Sequence, residues 1–335
     1  MGKNKKSAPK EELLRLPRHP ALTAETALDE QIAPIVDTHT HLVSTFHAYR
    51  GKYKDGKYET VHDFVRGLYQ DRNVEAIVDV WCDASIQLSW RSIADSALTK
   101  ESIEMLWGGL EYWFVMGIHP HEAGAYTDEV ESNILNAMAH PRCVGWGEIG
   151  LDYHYDNSPR DVQCNVFTRQ LQLAVQLGKP LTIHTREAEE DTERILKEHV
   201  PREHKIHIHC YTDSAEWAAR MLEYFPNLFI GVTGVITYFT NLNTSAVIRQ
   251  MASTPGGHMR ILLETDAPFM VPSNIYTSLK DVKGRLPLSH SAMIPWTAEF
   301  VAAVANEAIE GEEPSWDVVK VLREARENAK SMYGI

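Results

Sequence analysis

Paired cysteines, long apolar runs and an excess of basic charge are all missing from this 335-residue chain. Its four cysteines, Cys82, Cys143, Cys164 and Cys210, are scattered and form no Cys-x-x-Cys pair. That argues against a disulfide framework and for reduced thiols in the cytoplasm, the nucleus or both. No stretch approaches ~20 consecutive apolar residues, so a transmembrane helix is not expected. The Lys-rich opening has no apolar core of a secretory signal. Acidic residues outnumber basic ones 46 to 33, for a formal net charge of −13. This cuts against broad binding to duplex DNA, which depends on Lys and Arg neutralising phosphates. A phosphate-bearing substrate stays open, because bound divalent cations bring positive charge that a residue count does not see. A Gly-rich phosphate loop is also absent: after the first strand-like run the chain reads Asp37-Thr38-His39-Thr40-His41, which removes the usual sign of an open doubly wound sheet.

What is present is an ordinary globular mixture, 44% hydrophobic and 24% charged, long enough to bury a core without staples. Residues 1–31 read as a disordered basic tail, and residues 32–335 as one α/β domain with no internal repeat. Short apolar runs rich in β-branched and aromatic residues recur at Ile35–Asp37, Val74–Trp81, Trp113–Ile118, Cys143–Glu148, Pro180–His184, Lys205–Cys210, Leu228–Val232 and Arg260–Glu264. Such runs suit buried parallel strands. Helical patterns such as Val162–Leu177, Ser214–Tyr224 and Trp296–Ile309 separate them. Eight strands alternating with helices predict a (β/α)8 TIM barrel. The Tyr-, Lys- and Gly-rich insert Phe46–Tyr58 predicts a loop over the barrel mouth, with His47, Tyr49, Arg50, Lys52 and Lys54 read as solvated.

The chemistry-bearing residues fall at the ends of five of these runs. His39 and His41 are two apart, so in a strand both imidazoles share a face. A lone His-x-His is weak evidence of a metal. However, Glu148 closes the fourth run, His184 the fifth and His209 the sixth, and Asp266 follows the eighth. In a barrel of this kind the strand ends converge at the carboxyl face. Together these side chains form a plausible nitrogen and oxygen shell for Zn or Mn and, less naturally, Mg.

The segments VDTHTHL, GIHPHEA, GEIGLDYHYD, PLTIHTREAEEDT, HIHCYTDS and LLETDAPFMVP, spanning about residues 35–272, resemble the TatD family of metal-dependent hydrolases and deoxyribonucleases. The resemblance implies two divalent metal ions, with Glu148 bridging them, His39, His41 and Asp266 on one and His184 and His209 on the other. Glu148 would fill the bridging role that a carboxylated lysine plays in related barrels, and the fourth run contains no Lys. It also implies hydrolysis of a phosphodiester by a metal-activated water, with Asp266 as general base, or as ligand alone.

Around that set, His121, beside His119, is a candidate phosphate contact or an orienting residue, and Arg186 a candidate phosphate clamp. His207 and Asp37 read as orienting residues, and Trp146, Tyr153 and Tyr155 as packing or as base-stacking rings. One stretch departs from the family: where members carry Arg-Asn-Glu-Pro, this chain has Ala292, Met293, Ile294 and Pro295. That suggests a divergent, eukaryotic-type branch and leaves nucleic-acid specificity open. The expected substrate is DNA or RNA. Two alternatives remain: an amidohydrolase acting on an amide, lactone or small phosphoester, and a non-catalytic barrel that binds a protein through its tail or acidic surface. The full ligand set speaks against the latter.

Overall fold

The computed structural model describes residues 9–23, 32–84, 89–254, 258–279, 282–309 and 315–335. Eight strands form one sheet in sequential order: β1 (Ile35–Thr40), β2 (Val74–Trp81), β3 (Glu111–Met116), β4 (Cys143–Asp152), β5 (Leu181–Arg186), β6 (Ile206–Ile208), β7 (Leu228–Val232) and β8 (Ile261–Leu263). Every pair is parallel. The ring closes where β8 meets β1: Asp266 N donates to His39 O at 2.9 Å, and His41 N donates to Ala267 O at 3.0 Å. This is the expected (β/α)8 barrel. Its strands are buried along nearly their whole length, as a sheet wrapped in helices requires. Among the described residues no helix is long and apolar enough to cross a membrane.

The helices pack by an apolar stripe. In the Arg160–Gln176 helix, Phe167, Leu171 and Ala174 are buried at helical spacing. Two glutamines on the buried face are fully used. Gln170 Oε1 accepts from Ile118 N at 2.8 Å, and its amide donates to Ile118 O at 3.1 Å. Gln163 Oε1 accepts from Asp152 N at 2.8 Å, and its amide donates to Asp152 O at 3.0 Å. Buried amides tolerate such sites only when satisfied. Here they clamp the carboxyl ends of β3 and β4.

Two expectations are corrected. The insert Phe46–Tyr58 is not a loop over the mouth: a helix spans Leu42–Lys52. Leu42, Thr45 and Tyr49 are buried along it, an i, i+3, i+7 stripe that outweighs the polar composition. Arg50 then ties down the following turn by donating to Lys54 O, Gly56 O and Tyr58 O. The second correction concerns residues 9–23 of the expected disordered tail, which pack against the barrel. Leu14 and Leu16 are completely buried, in the same apolar cluster as Ala292 and Met293. Tyr49 OH donates to Glu11 at 2.6 Å, and Arg72 Nε donates to Leu16 O at 2.6 Å. Charged residues run through this segment, but Leu14, which closes a 3-10 turn at Glu11–Leu14, and Leu16 just beyond it carry enough apolar surface to dock the arm. Residues 1–8 and 24–31 lie outside the described residues.

His290 joins the arm to the barrel, its Nε2 donating to Leu14 O at 2.9 Å. Burial pushes its imidazole down to about 4, against about 6.5 in an unfolded chain. Protonation therefore favours unfolding. The contribution is intact above about 6.5 and is lost as pH falls toward 4, with a full value of about 3 kcal/mol. Urea unfolding of wild type and His290→Gln at pH 7 and pH 5 should differ in pH response by about 2 kcal/mol, with wild type losing more. Parallel responses of the two proteins would sink this assignment.

Candidate metal centre at the carboxyl ends of the strands

Each strand end supplies its residue for a local reason. His39 lies within β1 and His41 one residue beyond it, so alternation aims both at the mouth. Glu148 sits in β4 where the pairing with β5 slips between Gly147 and Ile149. Past the slip, Gly150 has φ +148°, and a Cβ there would lie 1.9 Å from His184 O. Only glycine permits this approach. It brings Glu148 and Asp152 of β4 against His184 of β5. Asp266 takes a left-handed φ of +50°, a conformation that costs energy in a non-glycine residue and turns its carboxylate back to the mouth.

The two oxygens of Glu148 face different partners. Oε2 lies 3.5 Å from His39 Nε2 and 3.8 Å from His41 Nε2. Oε1 lies 2.6 Å from His209 Nε2, 2.9 Å from His184 Nδ1 and 3.4 Å from His119 Nε2. Asp266 Oδ1 belongs with the first half, 3.3 Å from His41 Nε2 and 3.8 Å from His39 Nε2. Donor atoms close enough to share an ion occur as His39, His41 and Glu148, as His119, Glu148 and His184, and as His39, His209 and Glu264. The rings of His39 and His209 stack at 3.9 Å.

The electrostatics suit cations. Burial alone would raise the Glu148 carboxyl, but His209, His119 and His184 hold it well below the carboxylate range. Burial also opposes ionisation of Asp266, and His41 outweighs it. Against their own burial, His41 is pushed up to about 9 by Asp266 and Glu148, and His184 to about 9 by Asp152 and Glu148. Burial instead pushes His39 down to about 3 and His119 to about 4. Both ring nitrogens of His39, and Nδ1 of His209, are buried with no hydrogen-bond partner. Buried polar atoms are rarely left so. Ionised carboxylates, neutral imidazoles with free lone pairs and protons clustered on neighbouring rings together make a donor set that fits divalent cations.

All six residues expected as ligands converge here. The softer candidates divide. Arg186 borders a cavity of about 600 Å³ that also touches His184, His209 and Asp266, and its guanidinium lies 4.9 Å from the ring centre of Tyr155. His121 stands one step out, its Nε2 2.9 Å from Asp152 Oδ2. His207 lies deeper, between Glu264 at 2.8 Å and Tyr333 OH at 2.8 Å. Asp37 accepts from Thr265 N, Thr265 Oγ1 and Ser291 Oγ, so it braces the backbone just before Asp266. Trp146 is buried with Nε1 donating to Gln170, and Tyr153 OH donates to Asp191; both serve packing.

His119, read beside His121 in the sequence, lies nearer Glu148 than its neighbour does, its Nε2 3.4 Å from Oε1. Asp152 has no role in the sequence reading. Asp152 accepts from both His121 and His184, the latter at 3.2 Å. The available signal was its position four residues beyond Glu148, on the same strand face.

Comparison with known proteins places the chain in a family. The family model described as "TatD related DNase" matches residues 36–334. The human protein named 3'-5' RNA nuclease TATDN2 is 33% identical over 307 residues, which cover 90% of this chain and 35% of that protein. This chain therefore spans about a third of its length. The 3'-5' ssDNA/RNA exonuclease TatD of Musicola paradisiaca (strain Ech703) is 33% identical over 198 residues, 58% of this chain and 72% of that one. The crystal structure of YJJV, a TatD homolog from Escherichia coli k12, aligns with a TM-score of 0.64 at 21% identity, covering 91% of this chain and 100% of that chain; at that identity the likeness is one of fold. With the match running from β1 to the last helix, this chain belongs to the family of TatD-related DNases.

Proposed function

We propose that this chain is a metal-dependent phosphodiesterase that hydrolyses DNA or RNA, with two divalent ions held by His39, His41, Glu148, His184, His209 and Asp266. The observation that carries the reading is the division of the Glu148 carboxylate, one oxygen toward His39 and His41 and the other toward His184 and His209. A carboxylate so placed would hold an ion with each oxygen. Zinc, manganese or magnesium ions held there would acidify a water near neutrality and neutralise phosphate oxygens. The protein's own groups do the rest. Asp266, kept ionised by His41, accepts the proton of the attacking water. Asp152 holds His184 in place from behind, as outer partners of ligating imidazoles do. Arg186, at the cavity wall, clamps a phosphate oxygen of the bound strand. The names of the relatives, nucleases acting from the 3' end on RNA or single-stranded DNA, support the same reading.

The test is a panel with added Mn²⁺, Mg²⁺ or Zn²⁺: single-stranded DNA, duplex DNA, RNA, a simple phosphodiester, an N-acyl amide and a lactone. Cleavage of nucleic acid that disappears with chelator and returns with metal is expected. Amide or lactone hydrolysis without any phosphodiester cleavage would overturn the proposal.

A further inference from the structure

Among the described residues, the exposed large apolar side chains include three aromatic rings: Tyr155, Phe239 and Phe269. All three stand on loops that follow strand ends (β4, β7 and β8), on the face that carries the metal-ligand set. Phe239 is 92% exposed, its near neighbour Leu242 70%, Phe269 59% and Tyr155 55%. The other exposed apolar residues, Leu98, Met105, Leu135 and Leu177, sit singly on outer helices and turns, which is normal for a soluble surface. Rings gathered on the loops of one mouth are different, because exposed apolar side chains concentrated on one face mark a binding site.

The loops bearing Phe239 and Phe269 are joined to each other. Tyr238 OH donates to Val271 O at 3.0 Å. Ser273 N donates to Thr237 Oγ1 at 2.7 Å, and Ser273 Oγ donates to Thr237 O at 2.6 Å. Gly234 lies so close beneath that a Cβ there would fall 2.0 Å from Met270 O. Phe269 N donates to Asp266 O at 3.0 Å, which ties this rim to the catalytic carboxylate. Inside the rim, Leu242 and Met270 border the same cavity as Arg186, His184, His209 and Asp266. On the β4 side, Tyr155 sits edge-on to His121 at 5.4 Å and under Arg186.

A ligand that uses this whole surface needs an anionic centre flanked by flat aromatic faces. Inorganic phosphate or a small phosphoester leaves the rings unused, and a duplex keeps its base faces stacked inside. Unpaired nucleotides meet both requirements. The net charge of −13 makes phosphate neutralisation a poor general source of affinity, whereas stacking on rings needs no basic surface and tolerates any base. We infer that Phe239 and Phe269 stack on unpaired bases beside the scissile phosphate. This rests on the phosphodiesterase reading above.

The experiment compares kcat/KM of the Mn²⁺-loaded full chain on two substrates: a short single-stranded oligonucleotide, and the same backbone with tetrahydrofuran units in place of its 3'-terminal bases. Wild type should prefer the base-bearing strand by about tenfold to a hundredfold. In Phe239→Ala/Phe269→Ala that preference should fall toward unity. Phe239→Ala alone, at a position with almost no packing to lose, should move it in the same direction. Phe239→Leu, which keeps apolar bulk without the ring, should do the same. Wild type that treats both strands alike, or variants that keep the full preference, would overturn the inference while leaving the hydrolase reading standing. Cleavage of neither strand removes the phosphodiesterase reading itself, and the stacking role with it.

Discussion

Glu148→Gln should leave a folded protein that retains well under half of the wild-type metal and loses roughly a thousandfold or more in kcat/KM. The size follows from the geometry. Among the described residues Glu148 is the only carboxylate with oxygens within 4 Å of imidazoles in both halves of the centre, and its Oε1 is the sole carboxylate oxygen within 4 Å of both His184 Nδ1 and His209 Nε2. The amide is nearly isosteric, so packing barely changes, but the negative charge is gone. His184 and His209 would then face each other, 3.1 Å apart between ring nitrogens, with no anion between them to favour a cation. The first half would keep Asp266 beside His39 and His41, so the residual ion should be bound there. Metal analysis of the dialysed variant, read beside its urea unfolding curve, checks both statements. A Glu148→Gln protein that holds as much metal as wild type would contradict the bridging assignment.

Leu14→Ala/Leu16→Ala should be the most destabilising change away from the centre. Both leucines are completely buried, and each truncation removes a side chain at about 2–5 kcal/mol. Their sum is comparable to the whole net stability of an ordinary domain. The arm meets the barrel beside the stretch that departs from the family pattern, where His290 donates to Leu14 O. Ala292, Met293 and Ile294 are all buried, and Ala292 and Met293 share the apolar cluster with Leu14 and Leu16. Apolar side chains thus stand buried where a polar Arg-Asn-Glu stretch is expected. Ser291, next in line, donates to Asp37, which accepts from Thr265 beside Asp266. Loosening the arm should therefore also reduce activity at temperatures well below unfolding. Denaturant unfolding should show a midpoint far below wild type; a loss under about 1 kcal/mol would mean that the arm merely rests on the barrel.

The barrel was legible because its signals are local. Eight short apolar runs at regular spacing predict parallel strands, and β2 and β7 have the very bounds read from the sequence. The Leu42–Lys52 helix was legible too, in the spacing of Leu42, Thr45 and Tyr49, but its Tyr, Lys and Gly content masked it. Residues 9–23 could not be assigned from their own pattern, since their order comes from partners such as Arg72, Tyr49 and His290, far away in sequence. The role of Asp152 and the approach of His119 to Glu148 were not legible for a related reason. Which side chains meet across β3, β4 and β5 depends on a register slip that no single strand announces.

By itself, then, the sequence determined which residue types stand at which strand ends. Alternation along a strand and closure of parallel strands into a ring leave histidines and carboxylates at those ends nowhere to converge except one rim. The tertiary structure alone decided how that rim is used: which oxygen of Glu148 faces which imidazoles, that Asp152 backs His184, that Leu14 and Leu16 count as core, and that Phe239 and Phe269 remain uncovered beside Asp266. These are contacts between segments remote in sequence. Their distances are set by register, loop packing and burial across the whole barrel, quantities that local propensity does not contain.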